Sequence, residues 1–155
     1  VAGGTGNNRK EETVSRCYNS TVVNASSTEV WRTIRNFHEV PWAEEVLTSC
    51  EKVGDVPGDQ VGAKRVLNEA FHETLQSIDD DEREFTYTID DGPGPVAKEV
   101  VQNYVGRVRV IPVTENDSSF VEWESNYRSA DPDAVGEFCN PIYVALLVAL
   151  KKYCT

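Results

Sequence analysis

Positive charge is scarce in this sequence of 155 residues: 15 Lys and Arg stand against 26 Asp and Glu, giving a formal net charge of -11. A phosphate backbone or an anionic membrane surface would repel such a chain at long range, so nucleic acid is not an expected partner. The acidic residues are spread through turns and exposed strand positions, which makes them a solvated surface rather than an interaction tail. Cysteine is sparse in pattern as well as in number. Cys17, Cys50, Cys139 and Cys154 form no C-x-x-C pair, and His38 and His72 are not at metal-ligand spacing from any of them. Neither a metal site nor a cofactor is expected. On a shared helix Cys139 and Cys154 would lie about 22 Å apart, too far for a bridge, and the cysteines read as reduced.

A long hydrophobic run is also missing. The longest, Ile142 to Leu150, falls well short of the roughly 20 residues that span a bilayer. Gly3-Gly4-Thr5-Gly6 lacks both a preceding strand and the Lys-Ser/Thr of a phosphate loop, so residues 1–12 are expected to be a disordered leader to one domain over 13–155. Three sequons, at Asn19, Asn24 and Asn116, have no secretory signal before them and read as chance triplets; a cytoplasmic location is expected. There is no internal repeat and no low-complexity linker.

What remains is a legible series of elements. Alternation from Val14 to Val23 predicts a strand, and Asn24 to Ser27 offers caps for a helix carrying Val30, Trp31, Ile34 and Phe37. Pro41 restarts the chain, and Trp42 to Leu47 is expected to form a second short helix before a strand near Thr48 to Val53. Alternating stretches follow at Ala63 to Leu67, Phe71 to Ile78, Glu84 to Ile89, Val100 to Val113 and Phe120 to Arg128. The turns between them are short, which favours antiparallel neighbours over crossovers. Asp131 is a plausible N-cap and Pro132 a first helical residue for one long helix that ends at Lys151 and Lys152, with a kink expected at Pro141. Strands segregated from helices in this order define an α+β fold. Because Ile142 to Leu150 is apolar all round, the last helix must be gripped by the sheet or covered by a partner, and the chain is expected to be a monomer or homodimer.

Successive strand residues point to opposite faces, so the more apolar set of each strand marks the inner face. By that rule Glu73 points inward between Phe71 and Leu75, and Arg65 inward with Ala63 and Leu67. Gln102 and Tyr104 face in from the next long strand; Trp123, Ser125 and Tyr127 face in from the last, and Tyr87 completes the wall with Phe85 and Ile89. His72 reads as outward and His38 as lying near a helix end. An arginine, a carboxylate, phenols and an indole among aliphatics is the composition of a pocket for a small apolar or amphipathic ligand. A buried Arg and Glu are costly, and they are present either as a satisfied ion pair or because a ligand needs them.

The order of motifs resembles the helix-grip superfamily of START domains, birch-pollen-allergen-like proteins and polyketide cyclase/dehydrase-like proteins. The matching pieces are Glu29-Val30-Trp31 with Phe37 and Trp42, Gly62-Ala63-Lys64-Arg65, Glu73-Thr74-Leu75 with Ile78-Asp79, Asn103-Tyr104-Val105-Gly106, and Val121-Glu122-Trp123. Together they cover nearly the whole chain. The resemblance implies a curved antiparallel sheet around a long C-terminal helix, with two short helices after the first strand. Within the superfamily the chain resembles polyketide-cyclase-like and lachrymatory-factor-synthase-like proteins, in which an Arg, a Glu and a Tyr at the positions of Arg65, Glu73 and Tyr104 line the cavity. The segment between Arg65 and Glu73 is shorter than in the plant enzymes, and the Ser-Gly-Leu-Pro gate of plant hormone receptors is absent.

Two functions fit these residues. One is a cofactor-free cyclase, dehydratase or isomerase in which Glu73 is the base and Arg65 and Tyr104 stabilise an oxyanion. The other is a non-catalytic carrier or sensor of a lipid-like or aromatic metabolite, in which Arg65 anchors a carboxylate or carbonyl and Tyr87, Gln102, Trp123, Ser125 and Tyr127 supply contact.

Overall fold

Turn chemistry decides the topology. A computed structural model describes residues 14–155, so the expected leader over 1–12 lies outside the described residues. Seven strands follow the predicted order: β1 (Ser15–Val23), β2 (Cys50–Val53), β3 (Lys64–Leu67), β4 (Phe71–Asp79), β5 (Glu84–Asp91), β6 (Val101–Val113) and β7 (Ser118–Ser129). Left-handed backbone at Asn68 and Glu69, at Arg83 and at Asp117 closes three hairpins. In the β4–β5 turn the Asp79 carboxylate also accepts from the backbone N–H groups of Asp81 and Glu82, at 2.9 and 3.0 Å. The short connections from β2 to β7 make those neighbours antiparallel, and β1, joined to β2 by a longer segment, pairs antiparallel with β7 at the other edge, so the sheet runs β1-β7-β6-β5-β4-β3-β2.

Two α-helices complete the described residues, α1 (Ser27–Ile34) and α2 (Pro132–Tyr153). Ser26 caps α1 by accepting from Glu29 N–H at 3.2 Å, and Asp131 caps α2 by accepting from Ala134 N–H at 3.2 Å. α1 ends before Phe37, which is buried beyond the helix with its N–H donated to the Gly58 carbonyl at 2.8 Å. The expected second short helix is a 3-10 turn at Pro41–Ala43, continued by one hydrogen-bonded turn to Leu47. Pro41 starts that turn well, but there are too few residues before β2 to propagate a helix beyond its costly nucleus.

The inner face of the sheet, α1 and α2 enclose one core that includes Trp31, Phe37, Tyr87, Trp123, Leu146 and Leu150. α2 is long and apolar enough to pass for a membrane span by length and composition, yet its buried side chains belong to that core: it is the gripped helix. Its grip is one-sided, because Val144 and Val148 are each 48 % exposed on the opposite face. On the outer face of the sheet charges pair across strands, with Arg107 between Glu84 and Glu124, and Arg16 on Glu124.

One expected facing is wrong. Gln102 is exposed, not inward, because the β6–β7 register shifts between Gln102 and Val105, and Asn103 takes a φ of 54°. This bulge adds a residue to β6 and breaks the period-2 alternation, so Val101 and Tyr104, three apart, share the inner face.

Candidate functional site

Arg65 and Glu73 are direct cross-strand partners in the β3–β4 register, and both point into the core at 5 % exposure. The pair is closed. Arg65 Nε donates to Glu73 Oε1 at 2.8 Å and its NH2 nitrogen lies 2.7 Å from the same oxygen. The third nitrogen, NH1, donates to the Phe37 carbonyl at 2.9 Å, and the guanidinium lies over the Phe37 ring, 3.7 Å from its centre. All three arginine nitrogens are thus engaged, whereas Glu73 Oε2 accepts no hydrogen bond among the described residues. Burial pushes the Glu73 carboxyl above its ordinary 4.5, against the lowering influence of Arg65's charge and hydrogen bonds. Desolvation wins at this carboxyl even with its partner in place.

Next to the pair runs a chain of phenols. Trp123 Nε1 donates to Tyr87 Oη at 2.9 Å, Tyr87 Oη meets Tyr143 Oη at 3.1 Å, Tyr143 Oη is in short contact with Tyr104 Oη, and Tyr104 Oη donates to Cys139 Sγ at 3.5 Å. Each hydroxyl has one proton, so a run that begins at an indole donor and ends at a thiol has one consistent direction, from Trp123 to Cys139. Burial, as the largest cause, holds Tyr87, Tyr104 and Tyr143 well above the ordinary phenol value of 10.0. The Cys139 thiol is pushed up to about 11 by the same cause. These groups are neutral at physiological pH, and among the described lining residues Glu73 is the one carboxylate. The Tyr87 ring fits because Gly106 is its cross-strand partner; a Cβ there would lie within the ring's own envelope.

These residues surround a partly enclosed cavity of about 170 Å³. Arg65, Glu73, Tyr87, Tyr104 and Trp123 all line it, as sequence periodicity predicts. The remaining wall is mostly apolar, with Trp42, Leu67, Ile89, Ile142 and Leu146 among its members. Ser125 and Tyr127 are buried on the inner face as expected but do not reach the cavity, and Gln102 is outside it altogether. Tyr127 stacks behind Tyr104, ring centres 5.6 Å apart and planes 9° off parallel, so it supports the wall without forming it. His38 holds the Lys64 carbonyl at 2.8 Å and His72 is exposed on the outer face. All four cysteines are free, and among the described residues no group of three or more His, Cys, Asp or Glu is placed to hold a metal.

Periodicity missed Tyr143, the hub of the phenol chain, along with Cys139 and Asn68. Tyr143 is the one side chain with a polar atom between Ile142 and Leu150, and that was the available signal. Asn68 borders the cavity and ties the neighbouring loop to the β3–β4 hairpin: its Oδ1 accepts from Thr48 N–H at 2.8 Å and its Nδ2 donates to the Val46 carbonyl at 3.3 Å.

A curved antiparallel sheet gripping a C-terminal helix around an apolar cavity with a polar end defines a helix-grip fold with a candidate ligand cavity. The chain belongs to the family described as polyketide cyclase / dehydrase and lipid transport, which matches residues 16–155. Among solved structures it is similar to a protein of Nitrosospira multiformis, at 42% identity over 91% of this chain and 97% of that one, with a TM-score of 0.88. Two more distant structures share the fold. Norcoclaurine synthase of Thalictrum flavum, solved with dopamine and hydroxybenzaldehyde, is 17% identical over 91% of this chain and 86% of that one, TM-score 0.71. Major latex-like protein 151 of Panax ginseng is 15% identical over 92% and 98%, TM-score 0.73. No curated protein matches.

Proposed function

We propose that the protein is a carrier of a small, largely apolar molecule about the size of a single substituted ring. The observation that carries this reading is a cavity of about 170 Å³ whose polar wall groups are bonded mainly to one another: Arg65 closed on Glu73 and Phe37, and the phenols linked in series. Cavities near 150 Å³ accept benzene-sized guests, so the volume suits one ring better than a fused polyketide or a diacyl lipid. Trp42 and Trp123 both line the cavity, and a guest should change their fluorescence. Native mass spectrometry of the purified protein, followed by fluorescence titration with single-ring compounds, tests the reading. A retained small molecule or a saturable titration supports it; neither, across such a set, overturns it.

A second reading rests on Glu73 itself. Its carboxylate borders the cavity and has one oxygen without a donor among the described residues, and burial raises its pKa toward the range where a general base works best. On this reading Glu73 removes a proton next to a carbonyl, Arg65 and Tyr104 stabilise the oxyanion, and the outcome is isomerisation, cyclisation or dehydration without a cofactor. Tyr104 would have to turn from Cys139 toward the substrate. NMR of a bound ketone in D2O distinguishes the two readings: exchange of its α-protons that disappears in Glu73→Gln marks a catalyst, and exchange no faster than in buffer marks a carrier.

A further inference from the structure

The closed geometry of Arg65 has a consequence for the chemistry of the guest. An arginine free to present its fork would recruit a carboxylate through two parallel N–H donors. Here Nε and NH2 both face Glu73 Oε1, and NH1 is held by the Phe37 carbonyl. The guanidinium cannot offer that edge without breaking a buried pair. A carboxylate guest would also meet the like charge of Glu73 inside the same wall. A protonated amine would face the opposite problem, because its partner carboxylate already carries Arg65 at 2.7 Å.

Among the described residues Glu73 Oε2 is the vacant acceptor of this wall. The donors left over are the second N–H on each terminal nitrogen of Arg65, whose guanidinium has five N–H groups with three of them bonded, and Trp42 Nε1, which is buried without a partner. Glu73 Oε1 is taken, which makes Oε2 the atom a guest's donor can address. The phenol chain competes poorly as an acceptor, since Tyr87 already receives from Trp123 and the hydroxyls between Tyr87 and Tyr104 receive from one another. From this inventory we infer that the cavity selects a neutral single-ring compound bearing one hydroxyl or enol, with Glu73 Oε2 as the acceptor of its proton. The reading of Arg65 as an anchor for a guest carboxylate is thereby replaced. Selectivity comes from an oxygen that the ion pair leaves over, and the ion pair itself is a positioning device for that oxygen.

This inference rests on the carrier reading, and the experiment separates the two. Binding of para-xylene, 4-methylphenol, benzaldehyde, benzoate and benzylamine to the full chain is measured at neutral pH by fluorescence titration and ligand-observed NMR. These guests are similar in shape and differ in whether the substituent is apolar, a neutral donor, an acceptor or an ion. The hydroxyl compound is expected to bind roughly tenfold or more tightly than para-xylene, the worth of one hydrogen bond to a charged acceptor, and more tightly than benzaldehyde, which has no proton to give Oε2. Benzoate and benzylamine are expected to bind more weakly than para-xylene. Glu73→Gln keeps an oxygen for Arg65 and turns an amide N–H₂ toward the guest, so in that variant benzaldehyde should gain on 4-methylphenol. Equal affinity for para-xylene and 4-methylphenol, or preference for benzoate, overturns the hydroxyl assignment and leaves the carrier reading standing. No binding by any member of the set overturns both. If Glu73→Gln does not fold, the wild-type series decides alone.

Discussion

Replacing Arg65 by Met tests the ion pair most directly, because it removes the cation and keeps an apolar side chain of similar reach. The variant loses both contacts to Glu73 Oε1, the hydrogen bond to the Phe37 carbonyl and the stacking on the Phe37 ring. Breaking a buried pair from one side costs about 3–5 kcal/mol, against a total stability on the order of 5–15 kcal/mol for a domain of this kind. The sign of the pH dependence follows from Glu73. Its folded-state pKa already lies above the ordinary 4.5, and losing Arg65 removes the two influences that lower it. A carboxyl raised on folding contributes fully below its unfolded value, and that contribution fades as pH rises through the folded value. The penalty of Arg65→Met should therefore be smallest near pH 5.5 and grow toward pH 8.5, with a limiting slope of about 1.4 kcal/mol per pH unit wherever the carboxyl is protonated in the folded variant and ionised in the wild type. Working above the isoelectric point near 4.6 keeps the protein soluble. Urea unfolding followed by tryptophan fluorescence gives the difference between variant and wild type at each pH. In Arg65→Met with Glu73→Leu, removing the second charge should restore most of the loss at pH 8.5. A pH-independent penalty, or a double variant no more stable than the single one, would refute the account of Glu73 as a buried carboxylate held charged by Arg65.

Three further outcomes are expected. Tyr143→Phe removes the hub of the phenol chain and leaves the Tyr87 proton without its acceptor, which should cost about 1–3 kcal/mol in urea unfolding with the fold retained. Gly106→Ala drives a methyl into the Tyr87 ring and should destabilise by about 1–3 kcal/mol while abolishing single-ring binding; unchanged affinity would show that Tyr87 does not shape the cavity. In an ultraviolet titration of the native protein, Tyr87, Tyr104 and Tyr143 should remain protonated at pH 10 and ionise only on unfolding. Full ionisation of all six tyrosines in the folded state would contradict their burial in one network.

The fold was legible because its punctuation is local. Asp79-Asp80-Asp81 and Asn116-Asp117-Ser118 mark hairpins whose backbone does adopt the expected turns, and alternation then assigns Glu73, Tyr87, Trp123 and Arg65 to the inner face. Alternation fails where it is interrupted. The left-handed Asn103 inserts a residue into β6 and carries Gln102 outward, and nothing in the surrounding Val-Gln-Asn-Tyr announces a bulge. Facing also says less than lining. Ser125 and Tyr127 point inward correctly, but Tyr104, which lines the cavity, stacks on Tyr127, and neither Ser125 nor Tyr127 reaches the cavity space. Tyr143 was hidden for a different reason: a helix apolar on all sides has no face to single out, and its register against the phenols of β5 and β6 is fixed only by tertiary packing.

An unfilled space in a protein core is destabilising, and its size here makes the cost appreciable. At about 24 cal/mol per Å³ a hole of this volume forgoes about 4 kcal/mol relative to a packed interior, a large fraction of a domain's net stability. One larger side chain in the wall could recover part of it. The wall instead devotes residues to keeping the space open and its polar atoms quiet: Gly106 admits the Tyr87 ring, Tyr127 braces Tyr104 from behind, and Arg65 is tethered at both ends to Glu73 and Phe37. A polar group left unbonded in that wall would draw in water and raise the cost of displacing it by an apolar guest. Self-pairing of arginine with carboxylate and of phenol with phenol keeps most of the wall's polar atoms bonded, so on the carrier reading a single ring enters mainly by burying apolar surface. The remaining free acceptor on Glu73 can then discriminate among rings without having to supply most of the affinity.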